Sequence, residues 1–172
     1  MSQFFSTYKD DRKLFSARII SAHEFTGENN WYIDEQLNKY LRVMDEKGFL
    51  DNTLTFIYSD HGDHIDFIMW QTMSGYSELM NPFLVILVPE TIGGEILGNL
   101  EANQQRLITH YEIFQSVRRF IGAEKGPDEQ PGPSLFYDVV DGKETCETAH
   151  VYEDCKCFPK KFGNFSDNVG QK

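Results

Sequence analysis

Two short apolar runs constrain this chain more than anything else in it: Thr53-Leu54-Thr55-Phe56-Ile57-Tyr58 and Phe83-Leu84-Val85-Ile86-Leu87-Val88. Both are rich in β-branched or aromatic side chains and too short for stable helices. The first follows the turn Asp51-Asn52 and the second is bracketed by Pro82 and Pro89, so both read as strands buried in a sheet. Helical patterns flank them. Ile33, Leu37, Tyr40, Leu41 and Met44 repeat on one helical face within 33–47, and Gly48 stands where a C-terminal cap belongs. Thr109-His110-Tyr111-Glu112 has capping-box spacing, with Ile113, Phe114, Val117, Phe120 and Ile121 following at helical intervals up to Gly122. Residues 63 to 80 show no clear period and predict a loop with a short helix. Upstream, Leu14 to Ser21 predicts one more largely buried strand, with His23 near its end. Strands alternating with helices predict an α/β fold with a mostly parallel sheet and flanking helices, its binding site at the carboxyl ends of strands.

A chain of 172 residues has room for one domain of ordinary size. The pattern breaks at Gly126 to Pro133, a Pro/Gly-rich linker, so the expected division is 1–125 for the α/β part and 126–172 for linker and tail. A formal charge of -11 argues against a protein that neutralises nucleic-acid phosphates or docks on anionic lipid. The longest apolar run, Pro82 to Pro89, is strand-sized, so no membrane span is expected. Met1 to Lys13 carries charges where a signal peptide needs an apolar stretch, so the chain as written holds no secretion signal.

All three cysteines, Cys146, Cys155 and Cys157, fall in the tail, which also carries the sequon Asn164-Phe165-Ser166. That clustering predicts an oxidised tail with one disulfide and a third thiol that is free or paired elsewhere, and with Asn164 as a glycosylation candidate. A zinc site completed by His150 is the alternative reading of the same three thiols.

The strand ending at Tyr58 delivers Ser59-Asp60-His61-Gly62. A carboxylate beside an imidazole on a tight turn presents two ligands to one divalent cation, and such a cation polarises a phosphoryl or sulfuryl oxygen. Asp and Gly are also ordinary turn residues, which is the plain structural reading of the same tetrapeptide. His64 either joins that cation or faces water, and the expectation is water. His110 sits inside the capping box, where a helix-terminal role accounts for it.

The motif stands in a longer order of features. Gly48-Phe49-Leu50-Asp51-Asn52-Thr53 precedes the first strand. Gly75-Tyr76-Ser77-Glu78 and Asn81-Pro82-Phe83 precede the second, Arg106 to Ile113 opens the next helix, and Cys146 and Cys155-Lys156-Cys157 close the chain. From about Phe4 to about Cys157 that order resembles the sulfatase-like "domain of unknown function 229" family of the alkaline phosphatase superfamily. The resemblance implies the C-terminal portion of an alkaline-phosphatase/sulfatase-like fold in an extracellular or secretory protein. It implies Asp60 and His61 as ligands of a divalent ion (zinc, calcium or manganese), with His23 a further candidate. The aspartate that two-zinc members carry four residues before that histidine is Ile19 here. It also implies a small phosphate or sulfate ester as ligand of the full-length protein. The nucleophile of such hydrolases belongs to an N-terminal half that this chain does not match, so no residue here is assigned as catalytic. Met1 is expected to be a truncated start, and the chain alone is expected to be inactive. The competing expectation is a non-catalytic extracellular protein that keeps the fold as a binding surface.

Overall fold

In the computed structural model, which describes residues 2–21, 23–26, 28–65, 71–123 and 131–151, the stripe from Ile33 to Met44 becomes the inner face of a helix. The elements run α1 (Ser2–Thr7), α2 (Asn29–Glu46), a 3₁₀ turn (Leu50–Asn52), β1 (Thr55–Tyr58), α3 (Met73–Met80), β2 (Leu84–Leu87), α4 (Gly94–Asn103) and α5 (His110–Phe120). They divide between two compact units, Met1–Leu97 and Gly98–Lys172.

In the first unit, Ile33, Leu37, Tyr40, Leu41 and Met44 are the residues of α2 covered to some degree from Trp31 onward, and Met44 is fully buried. Gly48, at φ +66°, ends the helix, and the Phe49 amide donates back to the Met44 carbonyl at 2.9 Å. Such a reversal needs a left-handed residue, which glycine adopts without strain. A small aromatic cluster accompanies it. Phe5 of α1 is buried, with the Phe49 ring at 5.6 Å and the Phe15 ring at 6.1 Å.

Two sequence expectations fail in this unit. Leu14 to Ser21 belongs to no strand, and Leu14 and Ile20 are solvent-facing at 66% and 71% exposure while Phe15 joins the aromatic cluster. The run has strand composition without a neighbouring strand to pair with among the described residues. The second failure is direction. β1 and β2 form a two-stranded antiparallel sheet, Thr55 opposite Leu87 and Tyr58 opposite Leu84, where parallel neighbours were expected. A parallel partner requires the connection to cross back along the whole strand. Here the described ends of the connection lie together where β1 finishes. The Ser59 amide donates to the Phe83 carbonyl at 3.2 Å, and the Gly62 amide donates to the Leu79 carbonyl at 2.9 Å. The strands are also half-covered rather than buried, with Tyr58 and Val85 exposed.

The second unit is organised around 134–140, a stretch with no helical or strand period. Leu135, Phe136 and Val140 are fully buried. Asn103 near the end of α4 holds their backbone: its Nδ2 donates to the Leu135 carbonyl at 3.3 Å and the Asp138 carbonyl at 3.0 Å, and its Oδ1 accepts from the Val140 amide at 2.8 Å. One turn earlier, Asn99 donates to the Phe136 carbonyl at 2.9 Å. From α5, the Ser116 hydroxyl accepts the Leu135 amide at 2.8 Å. The capping box forms as read, Glu112 accepting the Thr109 amide at 2.7 Å while the Thr109 hydroxyl accepts from the Tyr111 amide. The segment 131–151 is therefore packed into the second unit and is more than a tail appended after 125.

Candidate metal centre

Asp60 and His61 sit on the turn that leaves β1, in the first unit. Its shape is set by Gly62. A side chain there would strike the Glu78 carbonyl of α3, so only glycine lets the turn lie against the end of that helix. The Ser59 hydroxyl accepts the Phe83 amide at 3.2 Å and continues the β1–β2 pairing by one step, which anchors the near side of the turn.

The His61 ring is oriented by its own turn. Nδ1 lies 2.7 Å from the Gly62 carbonyl oxygen, and only a protonated Nδ1 makes a bond there. In the neutral ring that tautomer leaves Nε2 with its lone pair, the form in which a histidine with a fixed second nitrogen ligates metal. Nε2 stands 3.9 Å from Asp60 Oδ2. Donors on one tetrahedral zinc are roughly 3.3 Å apart, so a modest side-chain rotation brings the pair to that spacing.

Asp60 also accepts from Arg18, whose guanidinium lies 3.0 Å from Oδ2. Partial desolvation works to raise the carboxyl pKa. The His61 ring, backbone amides of the turn and the Arg18 charge outweigh it and leave the group below the usual aspartate value. Asp60 is thus an anion over the neutral pH range, as a cation ligand must be. Arg18 was not singled out by sequence, because it lies in the run read as a strand and its partner is 42 residues away.

His64 is the other residue that sequence reading set aside. It is half-buried, with its ring centroid 4.6 Å from His61 and 5.0 Å from His23, so the structure brings three histidines into one row. As the side chains stand, no group of three or more His, Cys, Asp or Glu among the described residues converges tightly enough to hold an ion. Asp60 and His61 are thus two neighbouring donors of types that divalent cations take, short of a complete ligand set.

The family described as "Protein of unknown function (DUF229)" matches residues 1–172. The chain belongs to the DUF229 family. No curated protein and no solved structure matches it. In this DUF229 chain the sequence-predicted ligands Asp60 and His61 are together, and His23 reaches the group through His64. Cys146 is half-buried in the second unit, while Cys155, Cys157 and Asn164 lie outside the described residues. No helix among the described residues is long and apolar enough to cross a membrane.

Proposed function

We propose that this DUF229 chain corresponds to the C-terminal part of a metal-dependent phosphoester or sulfate-ester hydrolase-like protein, with Asp60 and His61 as ligands of a divalent cation. The observation that carries the proposal is the His61 ring fixed through Nδ1 to the Gly62 carbonyl at 2.7 Å, with Nε2 available beside an ionised Asp60. The place of the pair supports it too, on a turn at the carboxyl end of β1 that a glycine allows to dock on α3. The fold in this proposal is alkaline-phosphatase/sulfatase-like, and the protein is extracellular, with Cys146 in a disulfide to one of the tail cysteines.

A divalent cation so held would polarise the phosphoryl or sulfuryl oxygen of a small ester. Asp60 and His61 hold charge and lone pairs at fixed places, and Arg18 neutralises Asp60 when no cation is bound. No residue of this chain is assigned the attacking role, so the proposal expects cation binding without turnover of p-nitrophenyl phosphate or sulfate by this chain alone.

Thermal melting with Zn²⁺, Mn²⁺ or Ca²⁺ tests the proposal. A cation at a hundredfold excess over its dissociation constant stabilises the native state by about 2.7 kcal/mol, enough to raise the melting temperature by several degrees. The native chain is expected to show that rise and Asp60→Ala to lose it. Identical shifts in both proteins would overturn the assignment.

A further inference from the structure

β2 is bonded along one of its two sides. Ser59 and Phe83 are a hydrogen-bonded pair of the ladder, the Ser59 amide donating to the Phe83 carbonyl at 3.2 Å, so the register makes Ile57–Val85 and Thr55–Leu87 bonded pairs too. The amides and carbonyls of Leu84 and Ile86 therefore point away from β1. The sheet has two strands, and no backbone bond reaches that outer edge among the described residues. Phe83 and Val85, two residues apart on one face of the strand, are 55% and 45% exposed. From Leu79 to Pro89 the chain carries no charged residue, whereas open edges are ordinarily guarded by a lysine, a bulge or an inward-pointing charge. Pro82 and Pro89 confine the open stretch to the run between them.

We propose that this edge is where two copies of the chain associate, β2 pairing antiparallel with β2 of the second copy across a twofold axis at Val85. That register sets Leu84 opposite Ile86 of the second copy and Ile86 opposite Leu84, so the outward amides and carbonyls of both residues find partners at once. Val85 then faces its own counterpart at a position without ladder bonds, where α-carbons are about 4.5 Å apart, and Phe83 lies opposite Leu87 of the second copy. Two two-stranded sheets, each marginal alone, become one of four strands. Charge favours this edge for contact between copies. At a formal net charge of -11 the copies repel one another, and they do so least where neither presents a charged side chain. Both copies use the same edge, so the contact closes on itself at the dimer. One strand pair with two exposed apolar side chains from each copy covers less than the roughly 1,200 Å² of lasting interfaces, which makes the association reversible.

Sedimentation equilibrium of the full chain, native and with Val85→Lys or Val85→Glu, tests this. Val85 is half exposed, so either new charge remains in water in the single copy, whereas across the axis two like charges stand directly opposite. The native chain is expected to dimerise reversibly, more strongly at high salt, where repulsion between acidic copies is screened. Each variant alone is expected to be monomeric, and an equal mixture of the two is expected to recover dimers. A native chain that stays monomeric at about 1 mM overturns the proposal and leaves the edge to a strand of different sequence. Dimers that persist in both variants, a mixture that fails to recover them, or native oligomers that grow past the dimer overturn it as well. Should the variants fail to fold, amide hydrogen exchange of the native chain decides the matter. Leu84 and Ile86 are expected to exchange more slowly as concentration rises, and rates independent of concentration overturn the proposal.

Discussion

The Gly62 amide donates to the Leu79 carbonyl at 2.9 Å, and its α-carbon lies so close to the Glu78 carbonyl that no side chain fits between them. The turn bearing Asp60 and His61 is thus held by the end of α3. Replacing Gly62 with Ala forces that contact apart, and overpacking of this kind costs about 1–3 kcal/mol. Urea unfolding of Gly62→Ala is expected to show that loss together with weaker cation binding. A midpoint equal to the native one would mean that α3 does not constrain the turn.

Arg18 competes with a cation for Asp60. Both seek the same carboxylate oxygen, and an exposed ion pair of this type contributes about 0.2–1 kcal/mol. Removing the guanidinium in Arg18→Gln is expected to tighten zinc binding by up to about fivefold, the ratio that this energy sets. Weaker binding in the variant would show instead that Arg18 supports the site.

Asn103 is the polar centre of the second unit. It is buried and satisfies three backbone groups of 135–140, whereas Asn99 satisfies one. Asn103→Ala leaves those groups without their partner inside the core and is expected to cost roughly 3 kcal/mol, against about 1 kcal/mol for Asn99→Ala. Equal losses in chemical denaturation would contradict this difference.

Glu144 lies in an unfavourable environment. Burial raises its carboxyl pKa, and the nearby Glu112 and Asp141 charges add to the rise against the opposing influence of His150. A group whose folded pKa is raised contributes its full stability below the unfolded value, about 4.3, and loses that contribution as pH rises through the folded value. Glu144→Gln is therefore expected to melt above the native protein at pH 7, with the difference closing toward pH 4. Asp60 has the opposite sign, its small contribution being present above about pH 3.9 and lost as pH falls below it. Paired melts of Glu144→Gln and the native chain at the two pH values check the direction, and a lower melting temperature for the variant at pH 7 would contradict it.

Helices were the most legible part of the sequence, because a one-sided apolar stripe and its caps are local. Ile33 to Met44 ended at Gly48, and Thr109 with Glu112 opened α5, as their spacing required. α4 gave no such signal, since Gly93, Gly94 and Gly98 interrupt its pattern. Strand positions were legible but strand direction was not, because pairing depends on where the connection docks, and the Gly62–Leu79 contact is not encoded in either strand. Leu14 to Ser21 shows the limit of composition, which indicates that a run favours a sheet and not that a partner exists. The core segment around Phe136 was missed because turns bury residues without any period. Asp60 and His61 were legible as neighbours on a turn after a strand. The ion pair of Arg18 with Asp60 needed coordinates, since the two lie 42 residues apart.

Calorimetric titration of Zn²⁺ into the native chain and into the double variant Asp60→Ala/His61→Ala asks whether this turn is a cation site at all. One ion bound per native chain and none bound by the folded double variant is the expected result. The same heat and affinity in both proteins would show that zinc binds elsewhere and that the turn after β1 is only a turn.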